Sequence, residues 1–432
     1  MRKLLLILIV FGFSAANAQS FLSIDEVIQI ALKNNYDIMV SRNDGLIDRA
    51  NNTVGNAGML PNINFNANGS ISTKNTFQRD AGASDYTSST LSNPTHGANV
   101  ALNWTLFDGG KMFITKDRLS EVAALGEIQF REQVMQTISN VISAYFNVVK
   151  QKKQLISIEQ TITYNQERVK IAETGFNSGS KMKSDLLQAK IDLNVNLQNA
   201  INQEAAIVSA RRELAVLLSA ENDSLIAVID SFTFNYSPNK EELQYRLYSK
   251  NNRVLAFQKQ LEIEQLLLKE SYRSQLPKVD LNVGYYYTRK GPLFSTLNDG
   301  ITYDLGPQVG WSLSLPIFQS GDLRRQIAIS KIGLESSGYN LEKVKLQVNT
   351  ELKNALTSFS NQQQLLEIER ENFALTKENL EISLQRMRLG EATSLEVRIA
   401  QEDFEQSATR LTNFQYNLKM AETKVKQLMG EL

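Results

Sequence analysis

Two seven-residue stretches decide the fold: Trp104-Thr105-Leu106-Phe107-Asp108-Gly109-Gly110 and Leu315-Pro316-Ile317-Phe318-Gln319-Ser320-Gly321. Each one ends a run of alternating apolar and polar residues and precedes a long segment without proline. Asp or Ser can cap the first turn of a helix, and glycine tolerates the positive φ of a tight turn. Each stretch therefore predicts a strand that turns directly into a helix. Because the second lies 211 residues after the first, the same junction is predicted in both halves of the chain.

The same offset relates residues far from these stretches, which indicates an internal duplication. It pairs three well-separated residues with counterparts: Gly179 with Gly390, Asp185 with Glu396, and Leu217 with Leu428. Two upstream matches have offsets of 216 and 217: Leu60-Pro61 with Leu276-Pro277, and Lys33-Asn34-Asn35 with Lys250-Asn251-Asn252. We predict a first structural repeat over residues 19–220 and a second over residues 221–432.

Each half contains two segments in which apolar and polar residues alternate strictly. They form predicted strand pairs within residues 61–107 and 277–318. Each segment is about ten residues long, which is the length of a transmembrane β-strand. A soluble sheet with one wet face is the alternative on this pattern alone. The segments between the paired strands, 73–98 and 288–303, are rich in Gly, Ser, Thr and Asn and are predicted to be exposed loops, with His96 in the first.

The rest of the chain has helical periodicity. Two helices are predicted before the strand pairs, at 22–59 and 239–275, and four after them: 112–175, 181–218, 322–388 and 392–429. Val134, Ile138, Val141, Tyr145 and Val148 step by four and three residues, as in the core seam of a coiled coil. At 1.5 Å per residue the longest helices reach about 100 Å, so they are predicted to pack along their length.

Four strands cannot close a barrel in a membrane. Bacterial barrels have an even number of strands and at least about eight, and an open sheet edge in lipid leaves backbone groups unpaired. Other copies of the chain must therefore complete the sheet. Two copies give eight strands and three give twelve, and a cyclic assembly permits both.

The composition argues against an enzyme. Among 432 residues there are 46 Lys+Arg, 46 Asp+Glu, one His and no Cys. The absence of Cys excludes disulfides, a thiolate nucleophile and lipid attachment through Cys. A single His excludes a multi-His metal site and removes the usual general base. The balanced charge argues against nucleic acid as a partner. We predict no catalytic residue, metal site or cofactor, and no P-loop is present to supply energy.

Residues 1–18 have the pattern of a secretory signal peptide. Arg2 and Lys3 precede an apolar run, and Ala16-Asn17-Ala18 is a small-x-small cleavage site. Cleavage is predicted before Gln19. The apolar run is shorter than the roughly 20 residues that a transmembrane helix needs. We therefore expect an exported protein of the bacterial envelope that is not a Cys-anchored lipoprotein.

The chain resembles the TolC-like outer-membrane efflux protein family over essentially its whole length after residue 18. The resemblance is carried by the segment from Ser23 to Asn35, by the Leu-Pro pairs, by Phe107-Asp108-Gly109-Gly110, by residues 179–189, and by residues 386–394. It implies a mainly α protein with transmembrane β-strands, in which three duplicated protomers form a 12-stranded β-barrel and a periplasmic α-helical barrel. It also implies a passive exit duct that docks on a periplasmic adaptor (membrane fusion) protein and, through it, on an inner-membrane RND or ABC transporter.

The resemblance also implies the sites. The helix-turn-helix tips that would dock on the adaptor contain Gly179, Ser184, Asp185, Arg386, Leu389, Gly390, Thr393 and Ser394. Candidates for charged residues at the periplasmic aperture are Arg386, Arg388 and Glu391. The strand–helix junctions comprise Pro61, Phe107, Asp108, Gly109, Gly110, Pro277, Phe318 and Gly321. The first tip, from Phe176 to Lys181, departs from the Leu-Gly pattern of the second.

Two other functions remain as alternatives. The duct of a type I protein secretion system has the same physical requirements as a small-molecule efflux duct. A secreted trimeric coiled-coil structural or adhesive protein would explain the helices but not the two strand pairs in register. The nine methionines are scattered along the chain and argue against a copper or silver relay.

Overall fold

The computed structural model describes residues 21–82, 84–221, 227–229, 231–234, 236–238, 240–291 and 301–432. The predicted signal peptide, with its cleavage site before Gln19, lies outside these residues. The chain divides into two compact units. The first contains the described parts of Met1–Ser41, Arg131–Asn252 and Leu346–Leu432, and the second contains Arg42–Phe130 and Arg253–Lys345.

The longest helices follow the strand pairs. Helix α3 covers Lys111–Asn177 and α7 covers Asp322–Leu389, at 67 and 68 residues. Each turns into a shorter helix, α4 (Lys183–Leu217) or α8 (Ser394–Met429), of 35 and 36 residues. These bounds lie within two residues of the predicted ones, because no proline interrupts the helices and a glycine turn ends each long one.

The two helices predicted before the strand pairs are each divided, and the predictions of single helices over 22–59 and 239–275 are wrong. The structure has α1 (Ile24–Asn34) and α2 (Tyr36–Asn51), then α5 (Lys240–Lys250) and α6 (Asn252–Arg273). The breaks fall at Asn35 and Asn251. Their side-chain amides donate to the backbone carbonyls of Leu217 and Leu428 at 2.8 and 2.9 Å.

These asparagines also correct the alignment of the two halves. Asn35 has extended backbone geometry, and its Oδ1 accepts from the backbone N–H groups of Asp37 and Ile38, which caps α2. Because Asn35 and Asn251 occupy equivalent breaks, the offset there is 216 and not the 217 suggested by the Lys-Asn-Asn match. The Leu-Pro pairs have the same offset of 216.

The first unit has its core between the helices. Its largest apolar cluster joins α1, α3, α4 and the short strand β4 (Ala227–Val228), which pairs in parallel with β1 (Phe21–Leu22). Four of the five predicted seam residues of α3 are buried, and Val134 is half-buried. Two further clusters join α7 to α8: one around Phe359 and Leu418, the other around Leu380 and Phe404.

The second unit contains an antiparallel sheet of four strands in the order β2-β3-β5-β6. The strands are β2 (Asn62–Gln78), β3 (Thr87–Asp108), β5 (Lys278–Lys290) and β6 (Thr302–Ser314). Both predicted pairs form, and β3 pairs with β5 across the two halves.

The first predicted loop is mostly strand. Residues 73–78 and 87–98 extend β2 and β3, so His96 lies in β3 opposite Gly69 and Arg289, not in a loop. The extension is rich in Thr and Ser, and Thr favours extended backbone even where no apolar face has to be formed. In the second predicted loop, residues 292–300 lie outside the described residues, while β5 and β6 continue to Lys290 and from Thr302.

Within the described part of the chain, no helix is both long and apolar enough to cross a membrane.

Candidate functional site

The register of the sheet gathers the apolar side chains of all four strands on one face. Partner residues across the sheet form continuous rows, for example Ile63–Leu102–Val283–Val309 and Phe65–Val100–Tyr285–Pro307. The rows between them are polar or small, such as Asn62–Asn103–Asn282–Gly310. Side chains alternate between the faces of a strand, so one face is apolar and the other carries amides, hydroxyls and glycines.

The described residues leave most of both faces uncovered. Every residue of β2 is exposed, and so are the large apolar residues of β6: Leu305, Val309, Trp311 and Leu313. In the part of the chain that the structure describes, the outer strands β2 and β6 each pair on one side only. An apolar face of this extent would be very unfavourable in water but suits lipid. The open edges require further strands, which other copies of the chain supply.

The first strand–helix junction requires glycine. Asp108 Oδ1 accepts from the backbone N–H of Met112 at 3.1 Å and caps α3. Gly109 has φ +74°, and a Cβ placed there would lie 2.5 Å from the Cβ of Leu276 and 2.8 Å from the carbonyl oxygen of Arg273. Gly110 has φ +80° with open space around it. The chain therefore passes directly against the end of α6 before α3 begins.

Aromatic residues and prolines flank this junction. Pro61 lies immediately before β2, and Trp104 Nε1 donates to the carbonyl oxygen of Met59 at 2.9 Å, which holds β3 to the segment leading into β2. Phe107 is exposed, one residue before the end of β3. Pro277 occupies the equivalent position before β5.

The second junction is built differently from the first. Strand β6 ends at Ser314, four residues before the predicted end at Phe318. Ser320 adopts φ +50° and Gly321 φ +79°, so the serine contributes to the turn and the expectation that it caps the helix is wrong. Asp322 instead accepts from the side chains of Arg325 and Gln326 in the first turn of α7. Ile317 and Phe318 are 90 % and 83 % exposed and present an apolar surface beside the turn.

The two helix-turn-helix tips share one backbone design. Gly179 and Gly390 have φ +75° and +80°, and the N–H of each donates three residues back, to Phe176 and Met387. The next N–H in each tip donates five residues back, which is the pattern of a Schellman turn. The departure of the first tip from the Leu-Gly pattern therefore leaves its backbone unchanged.

The side chains of the two tips differ. In the first, the hydroxyls of Ser178 and Ser180 donate to the carbonyl oxygen of Gly175, and Ser184 and Asp185 lie in the first turn of α4. In the second, Thr393 Oγ1 accepts from the N–H of Glu396 at 3.2 Å and caps α8, which starts at Ser394. Leu389, at the end of α7, is 74 % exposed.

The three aperture candidates have different surroundings. Arg386 donates to the carbonyl oxygen of Glu391 at 3.1 Å and lies 3.9 Å from the carboxylate of Glu396, so it holds its own turn together. Arg388 reaches across to α3, where its Nε donates to Glu167 at 2.7 Å and its Nη2 makes a second contact. The side chain of Glu391 is exposed. Of these three candidates, Arg388 is the one that contacts the other helical hairpin.

The sequence analysis does not identify the residues that the aperture candidates contact. Glu167 was not predicted as a site residue, nor was its neighbour Arg168, which is 1 % exposed and donates to Asp192 and Gln401. Glu369 on α7 is buried as Arg168 is: burial raises the pKa of its carboxyl, but Arg410 and Ser407 outweigh this and hold the pKa below its ordinary value. These buried residues are polar, and a search for apolar periodicity does not find polar residues.

The described residues contain no group of three or more His, Asp or Glu that could hold a metal ion. Their polar groups hold helices together and line surfaces. The apolar face of the sheet is uncovered and its edge strands are open. With the helices, these features define an outer-membrane channel whose wall is shared between identical chains.

Comparison with known proteins gives the family. The profile of the family described as "Outer membrane efflux protein" matches residues 27–220 and 251–431, and the chain belongs to this family. Its fold is that of the trimeric channels of this class. The chain is similar to the CmeC outer membrane channel of Campylobacter jejuni, with a TM-score of 0.78 and 17 % identity, covering 94 % of this chain and 85 % of that one.

Two further relatives extend the comparison. The outer membrane protein VceC of Vibrio cholerae has a TM-score of 0.77 and 16 % identity, with coverage of 94 % and 96 %. The "Proteases secretion protein PrtF" of Dickeya chrysanthemi is 19 % identical over 436 aligned positions, which cover 100 % of this chain and 93 % of the relative.

Proposed function

We propose that this outer-membrane efflux channel is the exit duct of a tripartite export system and conducts substrates passively from a periplasmic adaptor and inner-membrane transporter to the exterior. The observation that carries the proposal is the register of the sheet. It aligns the apolar residues of all four strands on one uncovered face and leaves β2 and β6 open for neighbouring copies. A conduit of this kind needs no catalytic group.

The number of strands favours three copies. Two four-stranded sheets would give eight strands, a barrel whose interior is filled by side chains. Three give twelve, and the polar face with its asparagines and glycines then lines an aqueous lumen. Pairing of β6 with β2 of the next chain would leave no free edge.

Native mass spectrometry of the protein extracted from membranes in a mild detergent tests this assembly. We expect the mass of three chains, each beginning at Gln19 if residues 1–18 are removed by signal peptidase. A monomer that remains in solution without detergent would contradict the proposal, because four open-edged strands would then be stable in water.

We propose that both tips form the adaptor-docking surface: Gly179, Ser184 and Asp185 in one, and Arg386, Leu389, Gly390, Thr393 and Ser394 in the other. The shared Schellman geometry supports this, because identical turns would present equivalent backbone surfaces to an adaptor. It also supports the assignment of residues 19–220 and 221–432 as two structural repeats.

We further propose that the contact between Arg388 and Glu167 restrains the periplasmic aperture, with Arg386 and Glu391 beside it. Replacing Arg388 by alanine should then raise single-channel conductance in planar bilayers by several-fold, because the α7–α8 hairpin loses its ion pair to α3. The exchange Glu167→Arg with Arg388→Glu should restore the low conductance. Arg370→Ala, which removes an exposed pair within α7, is the control. Unchanged conductance in the Arg388 variant would contradict the restraint.

The similarity to the protease-secretion relative supports a second candidate, the duct of a type I protein secretion system. Deleting the gene and measuring both secreted proteins and sensitivity to toxic small molecules separates the two. Loss of a secreted protein without a change in sensitivity favours type I secretion, and the reverse favours efflux through an RND-type transporter.

A further inference from the structure

The helices of the second unit lie side by side in the same order as the strands of its sheet. Arg49 on α2 donates to Glu127 on α3 at 2.5 Å, so α2 lies beside α3. Two ion pairs join α3 to α6, and the hydroxyls of Ser271 on α6 and Ser330 on α7 lie 2.8 Å apart. The order is therefore α2-α3-α6-α7, with α2 and α7 outermost, as β2 and β6 are in the sheet.

The outer side of α7 is apolar and exposed. Ile329, Ile332 and Tyr339 lie on one side of this helix, because about 3.6 residues make a turn, and all three side chains are exposed. The opposite side contains Ser330, which contacts α6, and the buried Ile327. We call Ile329, Ile332 and Tyr339 the α7 stripe. Exposed apolar residues at helical spacing indicate a surface that packs against another element.

A matching surface lies on α2 and the turn that follows it. Ile47 is exposed on the side of α2 opposite Gly45, where a Cβ would lie 3.7 Å from the carbonyl oxygen of Gly126 on α3. Leu46 and, in the turn after α2, Val54 are exposed as well. We call Leu46, Ile47 and Val54 the α2 stripe. The two stripes therefore lie on the outermost helices of the row.

The internal duplication indicates what covers both stripes. Within the chain α3, which follows β3, contacts α6, which precedes β5. The equivalents in the other half are α7, which follows β6, and α2, which precedes β2. Pairing of β6 with β2 of the next copy would therefore bring α7 beside α2 of that copy. Burial agrees with this, because Ile263 on α6 is buried whereas its counterpart Ile47 on α2 is exposed.

We infer that the α7 stripe binds the α2 stripe of a second copy of this chain, in the register in which α3 binds α6. The inference rests on the proposed trimer and names the helical surfaces that hold it together below the barrel. It also assigns different chemistry to the two kinds of contact: charged within a chain and apolar between copies.

The clearest difference lies at one ion pair. Arg118 on α3 and Glu270 on α6 are 2.8 Å apart, and the side chain of Glu270 is buried. At the offsets of 211 and 216 their counterparts are Ile329 on α7 and Val54 in the turn after α2. The contact that is an ion pair within the chain is therefore an apolar pair between copies.

A second group of charges changes in the same way. Lys259 on α6 bonds Glu121 on α3 and Glu262 on its own helix, each at 2.6 Å. Their counterparts carry no charge: Asn43, Ile332 and Leu46.

This difference keeps the two kinds of contact apart during assembly. If α7 took the place of α3 against α6, Glu270 would be buried without the guanidinium of Arg118. A buried charge that loses its partner is strongly unfavourable. Specificity of this kind comes from the penalty on the wrong pairing as well as from the fit of the right one. Each copy of α7 is therefore directed to α2 of the next copy.

Transplanting the ion pair tests the register. Val54→Glu places a carboxylate against the α7 stripe without a basic partner and should lower the fraction of trimer several-fold in native mass spectrometry of the detergent-extracted protein. Ile329→Arg alone should do the same. The double variant recreates between copies the pair of Arg118 and Glu270 and should restore the wild-type fraction. Tyr339→Arg with Val54→Glu is the control out of register, by about 15 Å along α7, and should not restore it.

Cysteine crosslinking gives an independent test, because the chain has no cysteine of its own. A short bismaleimide added to the Ile329→Cys, Val54→Cys variant should link copies to one another, so that denaturing gels show products of two and three chains. Arg118→Cys with Glu270→Cys is the matched control. It should be linked within the chain and keep the mass of one chain.

The outcomes separate this inference from the proposed channel. If wild type is a trimer but Val54→Glu and Ile329→Arg leave it intact, or if the Ile329, Val54 cysteine pair links no copies, the two stripes do not meet and the channel stands. Equal restoration by Tyr339→Arg would overturn the register. A wild-type monomer would contradict the channel and the contact between the stripes together.

Discussion

Replacing Gly109 by alanine is expected to prevent most of the channel from reaching the outer membrane as a trimer. The new Cβ would lie 2.5 Å from the Cβ of Leu276 and 2.8 Å from the carbonyl oxygen of Arg273, neither of which is the end of a flexible side chain. Overpacking of this kind costs about 1–3 kcal/mol. The left-handed backbone at φ +74° adds about 1–2 kcal/mol. The measurement is the amount of trimer in outer-membrane fractions and its melting temperature.

The adjacent glycine provides a matched control. Gly110→Ala carries the same backbone strain, at φ +80°, but its Cβ has open space around it. This variant should assemble at near wild-type levels with a modest drop in melting temperature. If the two alanine variants behave alike, the close approach of the junction to α6 is not what requires glycine at position 109.

The junctions show how far sequence reasoning reaches in this protein. A strand-to-helix turn uses local chemistry, so Asp108 as a cap and glycines with positive φ could be predicted from residue types alone. The turns at the two tips also depend on local chemistry, and the glycines predicted there, Gly179 and Gly390, adopt a positive φ. The second junction was mispredicted in detail because Ser320 can either cap a helix or enter the left-handed region, and residue type does not distinguish these.

Long-range polar contacts could not be predicted in the same way. Asn35 and Asn251 end helices because each bonds a carbonyl at the end of a helix more than 170 positions away. Nothing within 22–59 or 239–275 signals that bond. Arg168 is fully buried on α3, and its partners Asp192 and Gln401 come from two other helices. The partners of a buried polar residue can be identified only in the folded unit, because they come from other helices.

Adding bulk at the second tip should abolish export while the trimer stays in the membrane. Gly390 lies at the turn between α7 and α8, and no atom of the described residues lies within 4 Å of a Cβ placed there. Gly390→Trp would therefore place its ring on the proposed docking surface. A central contact of an interface is worth about 2 kcal/mol or more, which is about 30-fold in affinity. The measurement is export, as substrate sensitivity or secreted protein, alongside the amount of trimer.

Two companion variants separate bulk from strain of the turn. Asparagine tolerates the left-handed backbone at φ +80° and is small, so Gly390→Asn should export normally. Leu389 is exposed at the end of α7, so Leu389→Trp adds bulk beside the turn without forcing a positive φ, and it should reduce export as Gly390→Trp does. If the Gly390→Trp trimer falls apart, or if that variant exports normally, the tip is not a docking surface. If Gly390→Asn loses export while Leu389→Trp does not, the turn itself is what matters, because bulk on this surface is then harmless.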